Sequence, residues 1–322
     1  MKLIDYILTD LLKNDVEHLV TSSSILLNTI CDKTILKDFT ISQICDERSV
    51  GYVAIGMYEE TEQPIAIIVE ESKMRNLAPA VTEAYYRKFP LIVISLADRN
   101  LNNSQYPRDM FKRVYSIIPK TLLNNSKIVQ TAVSLSNSNG GTPVLLCVYE
   151  YEKNINNKEL GMQQPSLIYD IPNTCVELET VVRIIQSFDD VNVVFYIDKK
   201  YVCQDLLCLN IKGKIEYNKG ILSTEGLLSI MIGASLVAHN KHFVYIGLSN
   251  SAIYDINALG NRHISNNLSI CLLGKNDDTD LIKHTCETWK YNLFTESIDT
   301  LYSISMRLNN EKVTKPSIIE IS

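Results

Sequence analysis

The chain has 322 residues, 46% of them hydrophobic and 21% charged, with 31 Lys and Arg against 37 Asp and Glu for a net charge of −6. That composition excludes a disordered chain, leaves room for about two domains, and lacks the basic stripe that binding to a nucleic-acid backbone needs. The eight cysteines (31, 45, 147, 175, 203, 208, 271 and 286) contain no CxxC pair, which argues against a zinc ribbon or a compact disulfide framework and fits a reducing cytoplasm.

Met1 to Leu12 carries Ile4, Ile7, Leu8, Leu11 and Leu12 at helical spacing with Asp5 and Asp10 among them, so it reads as an amphipathic opening helix and not as a signal peptide. Leu19 and Val20 end a strand in the serine turn Ser22-Ser23-Ser24. Asp46 to Thr61 is helical, with Val50, Val53, Ala54 and Met57 on one face. Ile65 to Val69 is an apolar run of strand length, Leu77 to Arg87 reads as helix, and Leu91 to Leu96 and Val144 to Val148 read as buried strands. Apolar strands separated by helices imply a parallel sheet covered on both faces.

The run from Tyr151 to Pro172 is polar and Asn-rich without periodicity, and is placed as a linker (151–172) between domains spanning 1–150 and 173–322. The second half restarts with a helix at Glu177 to Phe188 and a strand at Val191 to Ile197. Further strands are expected at His242 to Ile246, Leu268 to Leu273 and Ser317 to Ile321. Helices are expected at Thr224 to Ala238, Asp277 to Glu287 and Ser297 to Leu308. The longest nearly uncharged run, Gly226 to Ala238, is too short to span a bilayer. The fold class is therefore α/β, two sandwiches of parallel sheet and helices, and the chain reads as soluble and cytoplasmic, with no nucleic-acid or membrane partner.

Generic motifs add little. No GxGxxG, Walker loop or GxSxG elbow is present. His239 and His242 fall at a helix-to-strand turn with no third ligand nearby, and Gly140-Gly141 reads as a plain turn.

Residues 45–99, with Asp46-Glu47-Arg48 opening a helix, Gln63-Pro64 before a strand, Asn76-Leu77-Ala78-Pro79-Ala80 and Ala97-Asp98-Arg99, resemble the pyrimidine-binding domain of thiamine diphosphate enzymes, most closely its SEPHCHC synthase (MenD) group. A second block, Tyr217-Asn218-Lys219-Gly220 through Glu225-Gly226-Leu227-Leu228-Ser229 and then Ser251-Ala252-Ile253-Tyr254-Asp255-Ile256-Asn257-Ala258-Leu259, resembles that group's diphosphate domain. The resemblance implies two thiamine-diphosphate-binding-fold domains, pyrimidine-type then diphosphate-type, without the central domain the family usually places between them.

In that family a carboxylate hydrogen-bonds the aminopyrimidine ring and promotes its imino tautomer. Glu47 matches it, and would work best where partial burial raises its proton affinity. The alternative is that Glu47 caps its own helix. The family's diphosphate motif falls on Gly247-Leu248-Ser249-Asn250-Ser251, where the metal-binding acid is missing; Ser249, Asn250 and Ser251 with Lys275 are the expected cofactor contacts, and Asn276 and Asp277 the expected magnesium ligands. On the substrate side the family's arginine loop reads Thr21-Ser22-Ser23-Ser24-Ile25, and its small-residue loop reads Glu71-Ser72-Lys73-Met74-Arg75. Ser24, Lys73, Arg75 and Lys219 are the expected contacts to anionic groups.

Two readings are carried forward. One is a MenD-like enzyme that uses thiamine diphosphate and Mg2+ to decarboxylate or ligate a small 2-oxo acid other than the SEPHCHC substrate. The other is a catalytically degenerate member acting as a binding, scaffold or regulatory partner. Either implies a homodimer or homotetramer, or a hetero-oligomer, because the family's cofactor lies between domains of two chains.

Overall fold

The structure is a computed structural model that describes residues 2–22, 32–96, 111, 113–119, 122–138, 141–149, 171–175, 177–188, 190–220, 225–260, 266–273, 279–297 and 316–321. It divides into two compact units, Met1–Ser166 and Leu167–Ser322. The expected linker at 151–172 lies almost wholly outside the described residues.

The amino-terminal unit runs α1 (Leu3–Leu12), β1 (His18–Thr21), α2 (Lys33–Leu36), β2 (Thr40–Gln43), α3 (Glu47–Thr61), β3 (Ile65–Glu70), a 3-10 segment (Glu71–Leu77), α4 (Ala78–Arg87), β4 (Leu91–Leu96), β5 (Arg113–Ile117), α5 (Leu122–Asn137) and β6 (Val144–Val148). Its six strands lie in the order β2-β1-β3-β4-β6-β5, and every pairing is parallel. Strand side chains alternate between faces. Ala66, Ile68, Ile92, Ile94, Leu146 and Val148 point toward Ile7, Leu8, Leu11, Val129 and Ala132 of α1 and α5. The equally buried Ile67, Val69 and Val93 point the other way, where α3 packs over β1 and β3. Both faces are dry, which is why these strands read as unbroken apolar runs.

The carboxy-terminal unit runs α6 (Leu178–Phe188), β7 (Val193–Ile197), α7 (Gln204–Leu207), β8 (Lys214–Glu216), α8 (Leu227–Val237), β9 (His242–Leu248), α9 (Ser249–Tyr254), β10 (Leu268–Leu273), α10 (Thr279–Trp289), β11 (Asn292–Glu296) and β12 (Ser317–Ile321). Its strands lie in the order β8-β7-β9-β10-β12-β11, again all parallel. Counted by appearance, each sheet has the order 2-1-3-4-6-5, so the two units share one topology. Val181, Ile184, Ile185 and Phe188 of α6 cover one face through Phe195, Ile197, Val244 and Ile246. The uniformly apolar α8 packs against β7 and β9.

Strands expected at 65–69, 91–96, 144–148, 191–197, 242–246, 268–273 and 317–321 form within a residue or two, as does the helix expected at 277–287, observed at Thr279–Trp289. The helix expected at 297–308 lies outside the described residues apart from its first position. Strands β2, β5, β8 and β11 and helix α5 are additions to the sequence reading.

Candidate functional site

In an open parallel sheet with this strand order, connections leave in opposite directions from the first strand, and the crevice this opens at the carboxyl ends is where ligands bind. Each unit has such a crevice, between β1 and β3 in the first and between β7 and β9 in the second. The last register pairs before them are Thr21 with Ile68 and Ile197 with Ile246. Ser22 and Asp198 are therefore equivalent positions, one step beyond the first strand of each sheet.

In the first unit Glu47 reaches the crevice from the first residue of α3. Asp46 is the cap: its backbone is extended and its Oδ1 accepts the Arg48 amide at 2.9 Å. Capping is thus done by the neighbouring acid. Glu47 Oε1 instead accepts the Ser22 hydroxyl at 3.1 Å and lies 2.7 Å from Lys73 Nζ. Lys73 also stands 3.8 Å from Glu70 Oε2 at the end of β3. Gly51 makes this geometry possible. A Cβ there would come within 2.5 Å of Ala80 Cβ and 3.3 Å of a Leu77 methyl, so only glycine lets α3 close onto α4 and the 3-10 segment that carries Lys73.

Burial pushes the Glu47 carboxyl up, but the hydrogen bonds from Lys73, from its own backbone and from Ser22, with the lysine charge, outweigh it and hold the group below its ordinary value. The sequence led to the opposite expectation, a raised proton affinity. The reason for the reversal is Lys73, whose ammonium is correspondingly raised, chiefly by its bond to Glu47. Lys73, expected to meet an anionic substrate, meets the chain's own carboxylate. Met74 is buried beside it and Arg75 is exposed. Ser24 lies outside the described residues.

In the second unit Asp198 occupies the crevice, a residue the sequence reading did not single out. It is 1% exposed. Its Oδ2 accepts the Leu248 amide at 3.3 Å and the Tyr245 hydroxyl at 3.4 Å, while its Oδ1 has no hydrogen-bond partner among the described residues. Burial pushes this carboxyl up, against the opposing pull of the Ser251 hydroxyl, the Leu248 amide, Tyr245 and the Lys200 charge. Behind it Asp255 is fully enclosed. Its Oδ2 accepts the amide of Gly226 at 2.9 Å, the residue that opens α8 with a φ of 88°. Burial pushes Asp255 up to about 7 although the Ser229 hydroxyl and the Ser229 and Gly226 amides favour its charged form.

Of the residues expected at the diphosphate, Ser249 and Ser251 are buried and Asn250 is exposed. Ser249 helps to line an apolar cavity with Leu228, Ile253, Ile256, Ile270 and Leu272. Lys219 is exposed, its Nζ 3.5 Å from the centre of the Tyr217 ring. Lys275, Asn276 and Asp277 lie outside the described residues. Among the described residues no group of three or more His, Cys, Asp or Glu side chains could hold a metal ion, and no helix is long and apolar enough to cross a membrane.

Residues 1–114 match the family model described as thiamine pyrophosphate enzyme, N-terminal TPP binding domain. Among curated proteins, the 2-succinyl-5-enolpyruvyl-6-hydroxy-3-cyclohexene-1-carboxylate synthase of Cytophaga hutchinsonii is 45% identical over 64 residues, 20% of this chain and 11% of that protein. The synthase of the same name from Phocaeicola vulgatus is 48% identical over 65 residues, 20% of this chain and 12% of its own length. The match thus spans about a tenth of the length of these relatives. Among solved structures, one from Mycobacterium smegmatis, provisionally described as a thiamin diphosphate-dependent enzyme, superposes with a TM-score of 0.75 at 11% identity, over 100% of this chain and 99% of that one. Over residues 1–114 the chain is therefore similar to the N-terminal TPP binding domain of thiamine pyrophosphate enzymes, with a MenD-like stretch inside it, and over its whole length it has the fold of two α/β domains seen in that solved structure.

Proposed function

We propose that this chain is a catalytically reduced, MenD-like member of the thiamine diphosphate fold, acting as a binding or regulatory protein. Residues 1–150 serve as its pyrimidine-type half and 173–322 as its diphosphate-type half. The observation that carries the reading is the 2.7 Å contact between Lys73 Nζ and Glu47 Oε1. In the family role, Glu47 would share a proton with a ring nitrogen of the aminopyrimidine. A carboxylate held in its charged form by an ammonium is a weak partner for that exchange, because catalysis by proton transfer needs a proton affinity matched to the task. The second supporting observation is the buried Asp198 just beyond β7, together with Gly247-Leu248-Ser249 at the end of β9, which lacks the family's metal-binding acid. Assembly as a homodimer or larger oligomer in the cytoplasm belongs to the same reading.

A second reading is favoured by one specific feature: Glu47, with Ser22 beside it, still stands at the β1–β3 crevice. In that reading the protein acts on a small 2-oxo acid with thiamine diphosphate and magnesium, and Lys73 leaves Glu47 for the substrate carboxylate. Turnover separates the two. Pyruvate and 2-oxoglutarate are incubated with the full chain, thiamine diphosphate and magnesium, and 2-oxo-acid consumption is followed. The expected result is no consumption above the protein-free rate. Consumption that disappears in Glu47→Gln would overturn the reduced reading in favour of the enzyme.

A further inference from the structure

A diphosphate needs backbone amides and cations turned toward it, and among the described residues at the carboxyl edge of the second sheet two amides and three lysines are committed elsewhere. The Leu248 amide, at the end of β9, is taken by Asp198, and the Gly226 amide, at the start of α8, is taken by Asp255. Both acceptors are carboxylates, and both are buried. The nearby lysines are engaged as well: Lys199 Nζ donates to the Gly220 carbonyl, while Lys200 and Lys219 lie over the rings of Tyr201 and Tyr217. Asp198 is the more telling of the two acids, since its Oδ1 is buried with no hydrogen-bond partner among the described residues. A carboxyl oxygen left without a donor offers an acceptor to a ligand that itself presents only acceptors, and any charge it carries repels an incoming anion, the more so where surrounding polarity is low.

We infer that Asp198 makes the β7–β9 crevice exclude diphosphates and other phosphate anions, so that what this unit accepts is a hydrogen-bond donor instead. The inference rests on reading the carboxy-terminal unit as the diphosphate-type half. It is a disagreement between the residues present and the group the fold implies, and it assigns specificity to one side chain.

The test uses inorganic pyrophosphate, without thiamine or metal, titrated calorimetrically into the full chain as wild type, Asp198→Asn and Asp198→Ser. Wild type is expected to give no saturable binding. Asp198→Asn keeps the shape and removes the charge, and is expected to bind about ten-fold tighter than wild type or better. Wild-type binding as tight as that of Asp198→Asn would overturn the inference, as would two folded variants that both fail to bind. Should neither variant fold, the wild-type thermal midpoint decides: unmoved by pyrophosphate it supports exclusion, and raised by it the inference fails. These outcomes are independent of 2-oxo-acid turnover. Pyrophosphate binding to the wild type without turnover would remove this inference and leave the functional reading, and turnover without pyrophosphate binding would do the reverse.

Discussion

The two crevices stand at the same place in the same strand order, each holds a carboxylate, and the two carboxylates behave oppositely. Glu47 is paired with an ammonium and is held below its ordinary value. Burial pushes Asp198 up, against the Ser251 hydroxyl, a backbone amide, a phenol and the Lys200 charge, which together do not outweigh it. Burial raises both; what differs is the partner. An amide satisfies an oxygen without cancelling its charge, whereas a lysine does both. Topology fixes where an acid sits in this fold, and the group opposite decides which way its proton affinity moves.

The strongest way to break the comparison is to remove a cation where burial is complete. Arg87, at the end of α4, pairs with Glu59 of α3 and, at 2.8 Å, with Glu83, and all three side chains are 3% exposed or less. Replacing it, as Arg87→Leu, leaves two buried carboxylates without their arginine and is expected to cost about 3–5 kcal/mol, read as a fall in the denaturation midpoint.

Asp255 tests the amide-partnered side. The native state keeps its proton up to about 7, while the unfolded chain releases it near 3.8. Between those values the native state binds more protons, so this group makes stability fall as pH rises. Its contribution is fully present below about 4 and gone above about 7. Asp255→Asn is expected to flatten the slope by at most about 1.4 kcal/mol per pH unit, measured by unfolding at several pH values. An unchanged slope would show that the Gly226 and Ser229 hydrogen bonds neutralise the charge as well as a lysine does.

The smallest stability effect belongs to Lys73, whose side chain is 40% exposed. Lys73→Met is expected to cost about 1 kcal/mol or less. Its informative consequence is the Glu47 titration, which should rise once the lysine's bond and charge are gone and only its own backbone and Ser22 still oppose burial. Side-chain carbon shifts of Glu47 followed against pH report this directly. The pair is linked with a definite sign. Its depressed acid supports folding above the unfolded carboxylate value and loses that support as pH falls through the native one, while the raised lysine loses its support only in strongly basic solution.

How much was legible in the sequence follows the same physical lines. Strands buried on both faces announce themselves, as Ile65–Glu70 and Leu91–Leu96 do. The edge strands β5 and β8 do not: Arg113–Ile117 is half-buried along most of its length, and Lys214–Glu216 has three residues. Helix α5, with Asn124, Asn125, Ser126 and Lys127 across its first two turns, carries too weak an apolar stripe to stand out. Glu47 was found because the residues around it form a motif within one helix. Asp198 was missed because a single acid after an apolar strand carries no local signal, and its partner Leu248 lies 50 residues away. The fate of Lys73 was half legible. A long cation in a loop of small residues signals a changed pocket, but only the closure of α3 over Gly51 shows that the cation turns onto Glu47.

The matching strand orders carry one more consequence. Every described strand of the first sheet comes from residues 18–148, and every described strand of the second from 193–321. Among the described residues neither half borrows a strand from the other to finish its hydrogen-bonding ladder. Severing the backbone between these two stretches would leave each fragment with its full complement of sheet neighbours, so the polypeptide has the modularity of two separately encoded subunits while being made as one.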